Sequence, residues 1–429
     1  MINYIRRIIK IMNVTLTTTY HILRYKLNFN TYNDTVINVC NSLVSHSYIF
    51  IKVIQWGIQN VYDLNFNHEL KEYFNTFSNH VPYTNFEQEF AILCINNSIE
   101  YASTNDNDKL LIENNYIPIN SGSVALVYKA RLNDKPVIIK VLRHNIKKNI
   151  KKDIGFLEYF FDNILVKMII NRYTKVNFKR FIENNRDLLL NQCDFECEVN
   201  NALIFKNNLK NKKNIVIPHV YKHFTDACNE IIIMDYLDGP IAKNVSNYEL
   251  GNHFETIRSV YFESLFKYNI FHGDFHLGNI IIINENTIGI IDFGIVYTVT
   301  NEISNGLFDI LFLNANKKKV NNLLHAIKIF IKMICVNEKE HEEIFIKLKN
   351  DDELIDFFLK SKFSGTVLVT TLNKIISMDG VELNVYMCNL FLSVMSCLQT
   401  IDYGMSLIDD DNKSLSTLLK SYIQNSQTF

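Results

Sequence analysis

Residues 271–294, FHGDFHLGNIIIINENTIGIIDFG, hold the side chains whose types and spacing could do chemistry. His272-Gly273-Asp274 is followed five residues on by Asn279, and Asp292-Phe293-Gly294 closes the stretch thirteen residues after Asn279. A phosphoryl group in transfer needs positioning and charge neutralisation more than covalent help. In that chemistry Asp274 orients the attacking hydroxyl or water and accepts its proton, while Asn279 and Asp292 hold Mg ions against phosphate oxygens. The apolar runs 280–283 and 288–291 read as two short strands, joined by a turn at Asn284-Glu285-Asn286-Thr287. That hairpin returns the chain, so the two metal ligands face one cleft.

This order and spacing resemble the catalytic and metal-binding loops of the protein-kinase fold. Asp-Phe-Gly alone is common by chance; the combined pattern is specific. His272 and His276 flank Asp274 and raise the option of a metal-hydrolase cluster. Only one carboxylate lies between them, however, and no second ligand pair follows at zinc spacing. The expected work of His272 is to brace the loop through hydrogen bonds.

Other elements must position these groups. Residues 116–143 read as β-rich. Ser121-Gly122-Ser123-Val124-Ala125 is a small-residue turn whose backbone N–H groups can approach phosphates, although such a turn is often only a hairpin. Strand-like runs at 124–130 and 136–142 follow, joined by Asn133-Asp134-Lys135. Lys140 sits inside the apolar strand Val137-Ile138-Ile139-Lys140, and an ammonium there needs a partner. Residues 144–190 begin with Lys147, Lys148, Lys151 and Lys152 and continue with helical spacing. The next helix is expected to carry Gln192-Cys193-Asp194-Phe195-Glu196-Cys197-Glu198. Asp194 and Glu198 then share a face, one turn apart, and one of them is the partner of Lys140. The segment 215–218 and the run 231–234 read as strands, and Asp235-Tyr236-Leu237-Asp238-Gly239 as a hinge-like exit between lobes.

The whole chain has 429 residues, a formal charge of -1 and 48% hydrophobic residues. Such a length holds one bilobal domain or two ordinary ones. Nothing in the charge points to nucleic acid, and only 5 Pro argue for a helix-rich, ordered chain. The 8 Cys contain no Cys-x-x-Cys, which fits free thiols in a reducing, intracellular compartment. Residues 1–33 hold no acidic side chain, while Arg6, Arg7, Lys10, Arg24 and Lys26 are basic. An organellar presequence, a membrane-surface helix and the plain first helix of the fold are all open readings. No apolar run has the length of a spanning helix; the nearest, 383–398, contains Asn384 and Asn389 and reads as a buried helix. Residues 36–100 read as helices, with Val36, Val39, Cys40 and Leu43 at helical spacing.

Taken together these segments resemble the UbiB-like atypical kinases, a group linked to coenzyme Q (ubiquinone) synthesis. Phe50-Ile51-Lys52-Val53-Ile54-Gln55 resembles the family's N-terminal Lys-x-Gly-Gln motif, and Val81-Pro82 the segment after it. The stretch 121–130 resembles the family's small-residue loop, Cys193 through Glu198 its acidic helix, 234–239 its hinge, 272–294 its catalytic and metal loops, and 382–409 its C-terminal helices. The resemblance implies an α+β, bilobal kinase-like fold with a helical N-terminal extension and a helix-rich C-lobe. Its expected parts are a basic segment at 1–35, the extension at 36–115, an N-lobe at 116–240 with a helical insertion at 144–190, and a C-lobe with helical tail at 241–429.

The resemblance also implies roles. Lys140, paired with Glu198, contacts ATP phosphates, and Asp274 is catalytic. Ser121, Gly122, Ser123, Val124, Met234, Asp235 and Leu237 line the nucleotide, and Asn279 and Asp292 bind Mg. Lys52, Gln55 and Asp194 belong to the extension that folds over the active site, where a protein substrate would otherwise dock. Mg-ATP is then the ligand, and an ATPase or small-molecule kinase is expected in preference to a protein kinase. Its partners are a lipid or quinone precursor and a membrane surface, in a mitochondrial or other membrane-associated setting. Two departures bear on regulation: the family's Gly is Ile54 here, and the Glu before Cys193 is Gln192. A small-molecule phosphotransferase of the aminoglycoside or choline kinase type suits 272–276 equally, and a pseudokinase scaffold is the third reading. No Ala-Pro-Glu segment follows Gly294, so helices of the C-lobe are expected soon after it.

Overall fold

Alternating apolar residues build the first of two units around an antiparallel sheet. The computed structural model describes residues 13, 16–46, 50–51, 69–70, 73, 81–102, 109–162, 178–316, 320–360, 364–378 and 380–406. The first unit comprises Met1–Met168, Phe178–Val199 and His219–Tyr236; the second comprises Ile169–Asn177, Asn200–Pro218 and Leu237–Phe429.

In the first unit, helices α1 (Tyr32–His46) and α2 (Asn85–Ala102) precede strands β1 (Leu110–Ile112), β2 (Asn120–Ser121), β3 (Ala125–Leu132) and β4 (Lys135–Leu142). Helices α3 (Ile146–Asp162) and α4 (Phe178–Asn191), the start of α5 (Phe195–Leu209), α6 (Lys222–Ala227) and strand β6 (Ile231–Asp235) complete it. The sheet order is β1-β3-β4-β6, with β2 also on β3. Along β3 every second residue is buried, as strand periodicity requires. Leu126, Tyr128 and Ala130 thereby meet Ile139, Ile233 and, from α2, Ala91 and Ile95 in one core. Asn133 and Asp134 close the β3–β4 hairpin with φ of 49° and 66°, the left-handed pair that a tight two-residue hairpin turn demands.

The acidic segment departs from expectation. Gln192 through Glu198 is not one helix: α4 ends at Asn191, and α5 begins at Phe195. Asp194 is the reason, because its Oδ1 accepts from the N–H of Cys197 at 3.3 Å, the bond of an N-cap residue. Asp194 therefore stands before the helix, and Glu198 lies inside its first turn.

The second unit holds two small sheets and a set of helices. Strand β5 (Ile215–Val216) lies parallel to β9 (Thr287–Ile290), which pairs antiparallel with β8 (Ile280–Asn284). Strand β7 (Ile270–His272) pairs with β10 (Val296–Thr298). Helices α7 (Asn247–Gly251) and α8 (Phe254–Phe266) come after β5 and before the other four strands. After them run α9 (Asn301–Asn316), α10 (Val320–Ile334), α11 (His341–Lys349), α12 (Asp352–Lys360), α13 (Ser364–Ile376) and α14 (Val385–Ser406). In α10 the buried residues Leu323, Ile327, Phe330 and Ile334 recur at three and four, so one face is apolar. That face meets α14, where the rings of Phe330 and Phe391 lie 4.5 Å apart. Among the described residues no helix is long and apolar enough to cross a membrane. None of the eight cysteines is in a disulfide.

Candidate functional site

The loop from His272 to Gly294 lies wholly in the second unit and is built on two strand pairings. At the end of β7 the N–H of Gly273 donates to the carbonyl of Ile295 at 2.9 Å. A Cβ at Gly273 would stand 2.5 Å from both Ile295 Cγ2 and Tyr297 Cε2, so only glycine fits before Asp274. The chain then makes a short 3₁₀ turn, Leu277–Asn279. The Asn279 side chain is fixed by its own loop: Nδ2 donates to the carbonyl of Asp274 at 2.9 Å. With the nitrogen committed there, the amide oxygen is the atom that can serve a cation. The N–H of Ile291 donates to the carbonyl of Asn279 at 3.0 Å and ties the two ends of the β8–β9 hairpin together. Asn279 and Asp292 are thus brought together by the hairpin read from the sequence.

Asp292 has φ 66°, a left-handed conformation that a non-glycine residue adopts only where its surroundings hold it. Two contacts do so. The N–H of Gly294 donates to Asp292 Oδ1 at 3.4 Å, and Asn201 Nδ2, on α5, donates to the carbonyl of Phe293 at 2.9 Å. The Phe293 ring is buried, 5.2 Å from the rings of both Phe205 and His272. His272 braces the loop as expected, its Nδ1 accepting from the N–H of Asp274 at 3.2 Å. Nδ1 is thereby the unprotonated nitrogen, and Nε2 is buried without a hydrogen bond of normal geometry. Burial holds the His272 pKa below the ordinary imidazole value, with Asp274 and Asp292 pulling it partly back. His276 turns its Nε2 toward Asp274 Oδ1 at 3.4 Å, and its Nδ1 accepts from the N–H of Gly278.

The donor set offered by this loop is oxygen: one carboxylate and one amide carbonyl. Among the described residues no group of three or more His, Cys, Asp or Glu is placed to hold a metal. Two oxygen ligands suit Mg, which keeps several waters and takes the rest of its shell from phosphates. The chemistry of the residues therefore fits that ion.

The first unit carries a second constellation. Lys140 Nζ lies 2.5 Å from Glu198 Oε1, with the two side chains 12% and 8% exposed. Of the two acidic candidates, Glu198 is the partner; Asp194 pairs instead with Lys147 at 3.2 Å, on the surface. Gln192 is buried, and neither of its amide atoms has a hydrogen-bond partner. The turn at 121–124 is largely buried and is held by a group that sequence reasoning missed. Arg143, whose side chain is fully buried, donates to the carbonyls of Gly122, Pro82 and Val81, to Ser121 Oγ, and to Glu87 Oε1 at 2.9 Å. Its backbone N–H also donates to the carbonyl of Val124 at 2.9 Å. Glu87 closes a reciprocal cap with Thr84, accepting from the Thr84 N–H at 2.9 Å and donating its own N–H to Thr84 Oγ1. The Thr-x-x-Glu spacing before α2 was a readable sign of that cap. Nothing in the sequence marked Arg143, or Asn201 in the second unit.

Met234 is buried in β6, and Asp235 at its end accepts from Tyr221 Oη at 3.0 Å and from the His219 N–H at 3.3 Å. Burial first, then Asp235, pushes the Tyr221 hydroxyl up to about 12. Leu237 is the first residue of the second unit's C-terminal segment and packs against Gly289. Lys52 and Gln55 lie outside the described residues, as does Ile54.

Residues 79–324 match the family described as the ABC1 atypical kinase-like domain. The chain is 30% identical over 221 residues to a probable protein kinase UbiB of Tolumonas auensis, covering 48% of this chain and 39% of that one. It is 28% identical over 179 residues to the probable protein kinase UbiB of Shewanella oneidensis, covering 40% of this chain and 32% of that one. The matches thus span well under half the length of these curated relatives. A solved complex of Rv3197 with erythromycin from Mycobacterium tuberculosis aligns over 77% of this chain and 84% of that one, at 14% identity and a TM-score of 0.46.

Proposed function

Since the chain belongs to the UbiB-like, ABC1 atypical kinase-like family, we propose that it binds Mg-ATP and transfers or hydrolyses the terminal phosphate. The observation that carries this reading is the loop in which Asn279 is hydrogen-bonded to the Asp274 backbone and Asp292 is held in a left-handed conformation by Gly294 and Asn201. Asp274 orients the acceptor oxygen and takes its proton. Its carbonyl fixes Asn279, so base and metal ligand keep a constant relation. Mg, when bound, neutralises the developing charge on the phosphate oxygens. Lys140 supplies a cation to the α/β-phosphates, and Glu198 keeps its ammonium in place. Arg143 holds the small-residue turn against the strands.

The acceptor belongs to this proposal as well: a lipid or quinone precursor, in support of coenzyme Q or related lipid metabolism. The helical residues 16–26 favour contact with a membrane surface. They expose Leu16, Tyr20 and Leu23 beside the basic Arg24 and Lys26. The test is single-turnover ATP hydrolysis alongside nucleotide binding. Asp274→Asn is expected to keep Mg-ATP affinity while lowering turnover by about 10²–10⁴-fold, the range of a lost general base. Equal loss of binding in Asp274→Asn and Asp292→Asn would overturn the division of roles.

A further inference from the structure

In the first unit, helix α2 and the turn that leads into β6 bring two thiols together. Cys94, on α2, is 5% exposed and belongs to the core that this helix forms with the sheet. Cys228 directly follows α6, is half-buried and packs against the same core. Its backbone is held in place: its N–H donates to the carbonyl of Phe224 at 2.9 Å, and its carbonyl accepts from the N–H of Ile231 at 3.2 Å. Ile231 opens β6, and the carbonyl of Glu230 just before it accepts from the N–H of Leu142 in β4 at 2.8 Å. Neither cysteine is in a disulfide, and neither serves the nucleotide reading.

The two sulfurs lie within hydrogen-bond reach of each other. Cys94 Sγ also donates to Glu230 Oε2 at 3.4 Å. The Cys94 thiol holds the Cys228 pKa down at about 7; burial opposes it, the Glu230 N–H adds to it, and the Glu230 carboxylate opposes. Cys94 itself is pushed up, first by Cys228, then by burial and the Glu230 carboxylate. The pair is thus divided into a half-buried sulfur that ionises near neutral pH and a buried one that keeps its proton beside a carboxylate able to take it. An accessible thiolate next to a resolving thiol is the arrangement of reversible oxidation. In a reducing compartment such a bond is transient and serves as a sensor. Among the described residues no group of three or more His, Cys, Asp or Glu is placed to hold a metal, so Cys94, Cys228 and Glu230 do not make a metal site.

We propose that Cys94 and Cys228 form a reversible disulfide when the protein meets a peroxide, tying α2 to the turn that enters β6. The Cys228 thiolate attacks one oxygen of hydrogen peroxide. The S–O bond forms, the O–O bond breaks, and the departing hydroxide takes up a proton as water. Cys94 then gives its proton to Glu230 and attacks the sulfenic sulfur of Cys228. The S–S bond forms, the S–O bond breaks, and the hydroxide leaves with that proton as a second water. Two thiols and one peroxide give one disulfide and two waters. The test is to treat the full chain with a few equivalents of hydrogen peroxide, alkylate the remaining thiols, digest, and identify cross-linked peptides by mass. A Cys94–Cys228 peptide pair that dithiothreitol reverses is expected, and its rate of formation should level off above about pH 7. This measurement needs no variant. Cys94→Ser should stop at a sulfenic acid on Cys228, trapped by dimedone, and Glu230→Gln should slow disulfide closure severalfold without slowing the first oxidation. The oxidised wild type should unfold about 5–15 °C higher than the reduced, because the bond closes a loop on the order of 100 residues in the unfolded chain. Absence of the Cys94–Cys228 pair, dimedone on Cys94 in place of Cys228, or an unchanged or lower midpoint after oxidation would overturn the proposal. Closure in Glu230→Gln as fast as in wild type would overturn the proton route.

Discussion

Replacing Arg143 by Met removes the group that holds the 121–124 turn while keeping a long apolar stem. The wild-type side chain is fully buried, and its ion-pair partner Glu87 is 9% exposed. Removing one member of a buried pair strands the other and costs about 3–5 kcal/mol. Glu87 keeps its bonds to Thr84, so the lower half of that range is the better expectation. Against a total stability of about 5–15 kcal/mol this is a large fraction. At about 2–4 °C per kcal/mol for a unit of this size, the midpoint of thermal unfolding should fall by roughly 6–16 °C. The assay is thermal denaturation followed by circular dichroism, on Arg143→Met, Glu87→Gln and the double variant. Because the second change removes the stranded charge, the double variant should be more stable than the sum of the singles by at least about 1 kcal/mol. A shift below about 2 °C in Arg143→Met, or strict additivity in the cycle, would refute the reasoning.

Two further outcomes follow from the second unit. Gly273→Ala should destabilise by about 1–3 kcal/mol through overpacking against Ile295 and Tyr297. Because the strain falls on the residue before Asp274, kcat should drop more than ATP affinity, as parallel turnover and binding measurements would show. Stability should also depend on pH. His253 and His272 are both held below the ordinary histidine value of 6.5 by burial. The unfolded chain then binds more protons than the folded one, so stability falls as pH drops below about 6.5. Urea unfolding at pH 7.5 and 5.5 should show this slope, and His253→Phe should flatten it; an unchanged slope would place the protonation elsewhere.

Much of this was legible because the decisive patterns are local. The spacing from His272 to Gly294 lies within one hairpin and its flanks, and that hairpin formed as the two apolar runs and the Asn284–Thr287 turn required. The pairing of Lys140 was legible as far as a choice between Asp194 and Glu198. The choice turned on a cap: Asp194 satisfies a backbone N–H at the start of α5 and so leaves the helical face to Glu198. Arg143 and Asn201 were not legible, because their partners are mostly backbone carbonyls. Carbonyls at Val81, Pro82, Gly122 and Phe293 carry no residue identity, and only the fold brings them within reach.

That the Asn279–Asp292 hairpin serves Mg-bound ATP is tested most directly by the thermal midpoint of wild type and Asp292→Asn, each with and without Mg-ATP. A ligand that binds only the native state stabilises it by about 2.7 kcal/mol at a hundred times its Kd. A Mg-dependent rise is expected in wild type and should be abolished by Asp292→Asn. An equal rise in both proteins, or no rise in either at saturating nucleotide, would contradict it.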